Sequence, residues 1–263
     1  MVPPLRLEGL GRADKLKLLD LFSGIGGFSL GLERTGGFET VAFCEIEDFP
    51  RRVLAQHWPE VPCYEDIREL NAPTLSRDGI EVDAISAGFP CQDISVAGRG
   101  EGLDGDRSGL WFEVLRLISE LRPRVIFLEN VAALLSRGLG VVIGGLAKIG
   151  YDCVWHCIRA CRFGLPHHRD RIWIVAHPGK ERAKGSLAQA LQRLPALQGG
   201  ENVRRAEAWA RLPELSKAGL CGSYHGIPNG VDRTGSLGNA VAPIIPECLG
   251  NAYLESISWR DAA

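Results

Sequence analysis

Residues 20–28 read Asp-Leu-Phe-Ser-Gly-Ile-Gly-Gly-Phe and join an apolar run, Lys17–Phe22, to an amphipathic segment, Gly27–Arg34. The run is typical of a buried strand, and the segment that follows it is typical of a helix. Glycines between a strand and a helix permit a tight turn and let a ligand approach the backbone closely. This stretch therefore predicts the first βα unit of an α/β fold, with a candidate ligand site at its turn.

The same alternation of short apolar runs and amphipathic segments continues as far as residue 176. It indicates a Rossmann-like, doubly wound and mostly parallel sheet, which binds ligands beyond the carboxyl ends of its strands. The predicted strands are Lys17–Phe22, Thr40–Cys44, Val82–Ala87, Val125–Glu129, Tyr151–Ile158 and Arg171–Ala176, and the predicted helices are Gly27–Arg34, Ile46–His57, Ser108–Leu121 and Leu139–Ile149.

Beyond Ala176 the sequence becomes richer in glycine, proline and basic residues, with one predicted helix at Glu201–Leu212 and another at Pro246–Ser256. We therefore expect three parts. These are a main α/β domain at 1–176, a small region at 177–225, and a segment at 226–263 that returns to the main domain.

Composition limits the class of protein. The chain has 263 residues, of which 45% are hydrophobic and 24% charged, and this is ordinary for a globular protein that buries a full core. No apolar run approaches the ~20 residues of a membrane helix, and the first residues lack the apolar core of a signal peptide. We therefore expect a cytoplasmic protein without a membrane partner.

The eight cysteines include no CxxC pair, which favours reduced thiols over a zinc ribbon or a redox pair. Cys153, Cys157 and Cys161 recur at intervals of four, a spacing that favours packing over metal ligation. No metal site is predicted. The net charge is −6 over residues 1–150 and +4 over residues 151–263. Either a polyanion meets the second half of the chain, or the asymmetry is a chance fluctuation.

Cys91 lies in Gly-Phe-Pro-Cys-Gln-Asp-Ile-Ser, residues 88–95, at the end of a predicted strand. The proline before it fixes a backbone dihedral, and a polar, glycine-rich segment follows it. A thiol in this setting is either a nucleophile or a structural core cysteine.

Two acidic residues match the glycine turn. Glu45 follows Gly24 by 21 residues, at the end of the next strand, where a carboxylate can accept hydrogen bonds from ribose hydroxyls. Asp66 lies just past a third short strand-like segment and can take an adenine amino group. Ser29 replaces the third glycine of a dinucleotide motif, which favours S-adenosylmethionine over a nicotinamide cofactor.

Polar residues also end or begin the later strands. Glu129 ends an apolar strand, where burial would favour its protonated form, although a strand-end carboxylate is more often exposed. Arg169 and Arg171 lie on one face of an extended segment and are either anion-binding groups or a charged strand edge. Asn239 lies in a loop and can hydrogen-bond a ligand.

Read in order, the chain carries DLFSGIGGF at 20–28, Glu45, Asp66, GFPCQDIS at 88–95, LENV at 128–131, PHHRDR at 166–171 and GNAV at 238–241. This series resembles the C5-cytosine DNA methyltransferases, most of all their compact phage and prophage members. The resemblance covers residues 16–176 and 226–246. It implies a class I methyltransferase fold, S-adenosylmethionine as methyl donor, and a cytosine in double-stranded DNA as substrate.

The resemblance also implies roles for individual residues. Cys91 would attack C6 of a cytosine flipped out of the duplex, and Glu129 would hydrogen-bond N3 and the 4-amino group. Arg171 would contact the base O2 and Glu129, and Arg169 would hold a backbone phosphate. The residues matching cofactor-pocket positions are Phe22, Gly24, Gly26, Gly27, Glu45, Asp66, Ile67, Asn239 and Val241.

The chain departs from the family in one respect that matters for substrate choice. Only about 50 residues separate Ala176 from Gly226, so the region expected to read the DNA sequence is small. We expect a monomer, with a cognate restriction endonuclease as a functional partner. The alternatives are a tRNA cytosine-C5 methyltransferase, which Gln92 argues against, a catalytically inert DNA-binding relative, and a nicotinamide oxidoreductase.

Overall fold

The computed structural model describes residues 15–90, 109–163, 169–179 and 240–261, and every structural statement below concerns these residues. The strands are β1 (Leu16–Leu21), β2 (Phe38–Cys44), β3 (Cys63–Tyr64), β4 (Ala84–Ala87), β5 (Val125–Val131), β6 (Tyr151–Arg159) and β7 (Asp170–Pro178). The helices are α1 (Gly27–Glu33), α2 (Asp48–His57), α3 (Ala72–Arg77), α4 (Gly109–Leu121), α5 (Leu134–Arg137), α6 (Leu139–Lys148) and α7 (Ile244–Asp261), with a 3₁₀ turn at Ala160–Phe163.

The strands form one sheet in the order β3-β2-β1-β4-β5-β7-β6. The pairs from β3 to β5 are parallel, whereas β7 runs antiparallel to both of its neighbours, β5 and β6. The predicted mostly parallel, doubly wound sheet is therefore confirmed. Because the strand order reverses at β1, the turn after β1 lies at the switch point where such sheets bind ligands.

Helices cover both faces of the sheet. Successive residues of β1 point to opposite faces, so that Leu19 joins one core cluster and Leu18 the other. One face is covered by α3 to α6, which contribute Trp111 and Leu146 among others. The other face is covered by α1 and α7, whose Leu249 and Tyr253 are buried. This burial on both sides explains why the central strands read as continuous apolar runs.

The segment before α7 lies directly against α1. A Cβ placed on Gly27 would be 2.2 Å from the carbonyl oxygen of Val241, and one on Gly31 would be 2.2 Å from that of Pro243. Only glycine permits backbones to approach so closely. This contact places residues 241–243 beside the turn after β1. The division of the chain into three parts stays a prediction.

Some elements differ from their predicted bounds. The helix predicted at Pro246–Ser256 extends over Ile244–Asp261, and that predicted from Ile46 begins at Asp48. The sequence gives no sign of α3 and α5, which have six and four residues and are too short for a helical hydrophobic period to show. The helix predicted at Glu201–Leu212 lies outside the described residues.

Among the helices of the described ranges, none is both long enough and apolar enough to cross a bilayer. Nor do these ranges contain a group of three or more His, Cys, Asp or Glu side chains able to hold a metal ion.

Candidate active site

The turn after β1 has an unusual backbone. Phe22 and Gly24 both have a φ of 52° and Gly26 a φ of 83°, so that every second residue lies in the left-handed region. The amide of Gly26 donates to the carbonyl of Ser23 at 2.9 Å, and the Ser23 hydroxyl donates to the carbonyl of Asp20 at 2.6 Å. Phe22 has a Cβ, so its conformation costs about 1–2 kcal/mol. Strain of this kind is typical of functional sites.

The surroundings of this turn, residues 22–27, are closed on one side and open on another. A Cβ on Gly26 would be 2.6 Å from the ring of Trp58, so that side of the turn is packed against protein. Around the corresponding position on Gly24 no described atom lies within 4 Å. Within the described part of the chain, the backbone of the turn is therefore open at Gly24.

Glu45 follows β2 and is fixed beside the open part of the turn. Its Oε2 accepts from the Gly24 amide at 2.8 Å, and its Oε1 accepts from the Glu47 amide at 2.8 Å. Only 8% of the residue is exposed. Burial raises the pKa of the carboxyl group, while the backbone donors at Glu47 and Gly24 oppose that shift. Each oxygen retains a lone pair for a ribose hydroxyl.

The other predicted cofactor residues are placed as follows. Asp66 forms an ion pair with Arg68 at 2.6 Å, and hydrogen bonding from Arg68 holds the pKa of Asp66 below its usual value. Ile67 is buried in the core. Val241 lies beside Gly27. Asn239 lies outside the described residues.

The second group of site residues surrounds Glu129, near the carboxyl end of β5. Its Oε1 lies 2.8 Å from Nε of Arg171 and 3.6 Å from Nη2 of Arg169. The antiparallel direction of β7 brings the two arginines to Glu129, because β7 begins at the edge where β5 ends. Arg171 there pairs with Val131. Burial raises the pKa of Glu129, although Arg171 and Arg169 oppose the shift.

The segment leading to Cys91 is held beside Glu129. A Cβ on Gly88 would be 3.7 Å from Oε2 of Glu129. The side-chain amide of Asn130 donates to the carbonyl of Phe89 at 2.9 Å, and the Phe89 ring lies 5.1 Å from that of Trp111. Cys91 itself lies outside the described residues. The chain thus enters the position of the predicted nucleophile next to a buried carboxyl group.

A sequence model of one protein family, C-5 cytosine-specific DNA methylase, matches residues 16–210. The match covers well over half of the chain. The chain belongs to this family. The resemblance inferred from the five motifs together with Glu45 and Asp66 is therefore confirmed.

Two relatives show how far the methylase similarity extends. The type II methyltransferase M2.BsuMI of Bacillus subtilis is 37% identical over 169 residues, which are 61% of this chain and 42% of the relative. The type II methyltransferase M.HhaI of Haemophilus parahaemolyticus is 33% identical over 164 residues, 61% of this chain and 48% of the relative. This chain thus spans about half the length of the curated relatives it matches.

Solved structures agree with the methylase fold. A protein described as a DNA modification methyltransferase encoded within a prophage of E. coli has a TM-score of 0.54 and 28% identity, covering 63% of this chain and 47% of its own. Spodoptera frugiperda DNMT2 also has a TM-score of 0.54, with 22% identity and coverage of 64% and 51%. The second likeness concerns the fold alone.

Sequence reasoning missed one carboxyl group beneath the candidate site. Asp20 is fully buried in β1, and its two oxygens accept from the hydroxyls of Ser29 on α1, at 2.8 Å, and Ser86 on β4, at 2.6 Å. Burial raises its pKa to about 7. The available signal was a carboxylate inside an otherwise apolar run. Asp20 thereby joins three elements that meet at the base of the turn.

Proposed function

We propose that the protein transfers a methyl group from S-adenosylmethionine to C5 of a cytosine in double-stranded DNA. The observation that carries this proposal is the buried Glu129 paired with Arg171 and Arg169, at the same sheet edge as the turn after β1 and beside the segment that leads to Cys91. Family membership supports it.

The residues around the turn after β1 fit the proposed methyl donor. A ribose carries two hydroxyl donors, and the buried Glu45 carboxylate offers acceptors beside the open space at Gly24. Asp66 and Ile67 would border the adenine, while Val241 and Asn239 would close the pocket from the C-terminal side. S-adenosylmethionine, when bound, supplies a sulfonium methyl group that a carbon nucleophile can attack.

The proposed chemistry begins at C6, because C5 of cytosine is a poor nucleophile until C6 is saturated. The Cys91 thiolate forms a bond to C6 while N3 takes a proton from Glu129. C5 of the resulting enamine then forms a bond to the methyl carbon, and the methyl–sulfur bond breaks. Loss of the C5 proton to a base expels the Cys91 thiolate, and N3 returns its proton to Glu129, which restores the aromatic ring.

Glu129 can serve as the proton donor because burial stabilises its neutral form. Arg171 and Arg169 stabilise the carboxylate that remains after the proton has left, so the pair keeps both protonation states accessible. Arg171 would also donate to O2 of the cytosine, and Arg169 to a backbone phosphate. The target atom is inaccessible within stacked bases, so the cytosine would be flipped into the site.

The remaining expectations from the sequence belong to the same proposal. The protein would act as a monomer in the cytoplasm, with a restriction endonuclease as a functional partner. Residues 177–225 would read the DNA site. They lie outside the described residues, except for 177–179.

Bisulfite sequencing tests the reaction directly. DNA from a methylation-free host that expresses the wild-type chain should contain cytosines that resist conversion in one fixed sequence context. Cys91→Ala should abolish that resistance, because no adduct can form, and should leave S-adenosylhomocysteine binding unchanged. Glu129→Gln should slow the single-turnover rate by about 10²-fold or more.

Cys157→Ala is the matched control, since Cys157 is an exposed cysteine on β6, away from the turn after β1. It should methylate at the wild-type rate. Retention of even a few per cent of activity in Cys91→Ala would contradict the nucleophile assignment. A different result would be complete bisulfite conversion of the DNA with every variant, together with methyl transfer to purified tRNA in vitro. It would mean that the substrate is RNA and not DNA.

A further inference from the structure

The segment between β3 and α3 includes residues 66–71 and carries Asp66 and Ile67, which we propose border the adenine. The amides of Glu69 and Leu70 donate to the carbonyl of Asp66 at 3.1 and 3.2 Å, which makes the segment one compact turn. Its position relative to the sheet must be fixed by contacts from outside the turn, because β3 before it has only two residues. We call residues 66–71 the adenine turn.

The buried side chains of Ile67 and Leu70 supply apolar contacts of this kind, and Arg116, on α4, supplies the polar ones. Its Nη2 donates to the carbonyl of Ile67 at 3.0 Å and to that of Leu70 at 2.8 Å. Hydrogen bonds from a charged donor are stronger than those between neutral groups. One guanidinium nitrogen thus joins both ends of the adenine turn to a helix of the core.

Two carboxylates hold the guanidinium in place. Nε of Arg116 donates to Glu113 at 2.7 Å, and Nη1 donates to Glu120 at 2.8 Å. The other oxygen of Glu120 accepts from the amide of Ala72 at 3.0 Å, which is a third link between α4 and the chain just beyond the adenine turn. The planar guanidinium satisfies two carboxylates and two carbonyls at once, and a lysine ammonium cannot reproduce this geometry.

The same helix also supports the segment that leads to Cys91. Trp111 of α4 packs against Phe89, whose carbonyl is held by Asn130, the residue after Glu129. Arg116 therefore links the adenine turn to a helix that is packed against the catalytic strand end.

The geometry points to Arg116 as a positioning residue for S-adenosylmethionine. It acts through the adenine turn and touches neither cofactor nor substrate. The inference rests on the proposed function, because it assumes that Asp66 and Ile67 border the adenine. Without Arg116 the turn would have to be ordered when the cofactor binds, and this ordering would weaken the affinity.

The test compares Arg116→Met with Arg122→Met by calorimetry with S-adenosylhomocysteine. Arg122 directly follows the same helix and donates to the carbonyl of Ile149, the residue after α6, at 2.6 Å. Both changes remove hydrogen bonds from an arginine to backbone carbonyls. We expect Arg116→Met to raise Kd by about ten-fold, which corresponds to about 1.4 kcal/mol, and Arg122→Met to leave Kd unchanged.

Adenosine and steady-state kinetics separate positioning from a general loss of structure. Adenosine should lose affinity by a similar factor, because Arg116 acts at the adenine end. The KM for S-adenosylmethionine should rise while kcat changes by less than two-fold. Arg116→Lys retains the positive charge and should give a Kd between those of the wild type and Arg116→Met.

Binding by the wild-type protein tests the proposed function, on which the inference rests, and binding by the Arg116 variants tests the inference itself. A wild-type protein that binds no S-adenosylhomocysteine would overturn both. Wild-type binding with an unchanged Kd in Arg116→Met would overturn the inference alone. If Arg116→Met does not fold, Arg116→Lys decides the question, and wild-type affinity in Arg116→Lys would overturn the role of the forked guanidinium.

Discussion

Gly24 and Gly36 share a backbone constraint but differ in their surroundings. Their φ angles are 52° and 77°, and an added Cβ would meet no described atom within 4 Å at either position. Alanine in this region costs about 1–2 kcal/mol, so Gly24→Ala and Gly36→Ala should lower the free energy of unfolding by similar amounts. Urea denaturation of the two variants measures this cost.

Cofactor affinity should separate the two variants. The Cβ of Gly24→Ala would enter the open space beside Glu45, where we propose that the cofactor lies, and Gly36 lies in the turn between α1 and β2. We expect about a ten-fold weaker affinity for S-adenosylhomocysteine in Gly24→Ala only. Equal calorimetric affinities in the two variants would argue against the proposed pocket.

The titration of Asp20 should make the free energy of unfolding depend on pH. The pKa of Asp20 is raised to about 7 in the folded protein and lies near 3.8 in an unfolded chain. At Asp20 the folded state therefore binds more protons between these values, and the contribution of Asp20 to stability falls as pH rises from 4 to 7. A shift of this size corresponds to about 4 kcal/mol.

Asp20→Asn removes this dependence because an amide does not titrate. The difference in unfolding free energy between wild type and variant, measured in urea at several pH values, should change in favour of Asp20→Asn as pH rises from 4 to 7. Above pH 8 it should be constant. A difference that does not vary with pH would show that Asp20 remains ionised in the folded state.

At the scale of elements, the contact between α1 and the segment before α7 depends on one missing side chain. A Cβ on Gly31 would be 2.2 Å from the carbonyl oxygen of Pro243, whereas one on Gly144 of α6 would meet no described atom within 4 Å. Gly31→Ala should therefore destabilise the protein by about 1–3 kcal/mol. Gly144→Ala should stabilise it by up to about 1 kcal/mol, because alanine favours helix.

The change from glycine to alanine should thus lower the free energy of unfolding in α1 and raise it in α6. Urea denaturation measures both effects. A stable Gly31→Ala protein would mean that α7 can move away from α1 at little cost. A loss of stability in Gly144→Ala would mean that α6 is more tightly covered than the described residues indicate.

The sequence predicts the elements that bury a full apolar face and misses those that do not. β1, α4 and β5 are recognised because their hydrophobic periods extend over six residues or more. β3, with two residues, and α5, with four, are fixed by their neighbours and leave no period to read. The antiparallel direction of β7 has no local signature either, since strand direction depends on the path of the connecting chain.

The candidate site follows the same rule. Motif residues such as Glu45, Glu129 and Arg171 can be recognised because the chemistry requires their residue types at strand ends. Asp20 and Arg116 escape notice because their importance lies in partners that are distant in sequence. Ser86 is 66 residues from Asp20, and the carbonyl of Ile67 is 49 residues from Arg116. Only the folded structure shows these partners.

At the scale of the whole molecule, one sheet separates two apolar layers. Ile118 of α4 belongs to one layer and Ile245 of α7 to the other, and both are buried. Ile118→Val and Ile245→Val should each cost about 0.5–1.5 kcal/mol. Because the two sites share no partner, the double variant should lose the sum to within about 0.5 kcal/mol.

The two apolar layers should unfold together. Far-UV and near-UV circular dichroism should report one coincident urea transition in every variant, because both layers use the same strands. Two separate transitions in Ile245→Val would mean that the layer of α1 and α7 unfolds independently of the rest of the sheet.

The contact between Trp58 and Gly26 has a practical consequence. The indole is half-buried, its Nε1 donates to Glu33 at 3.0 Å, and its ring edge closes one side of the turn after β1. Tryptophan emission depends on the polarity and rigidity around the ring. Trp58 is therefore a built-in fluorophore beside the proposed cofactor site, and it can report a change in the turn in unlabelled protein.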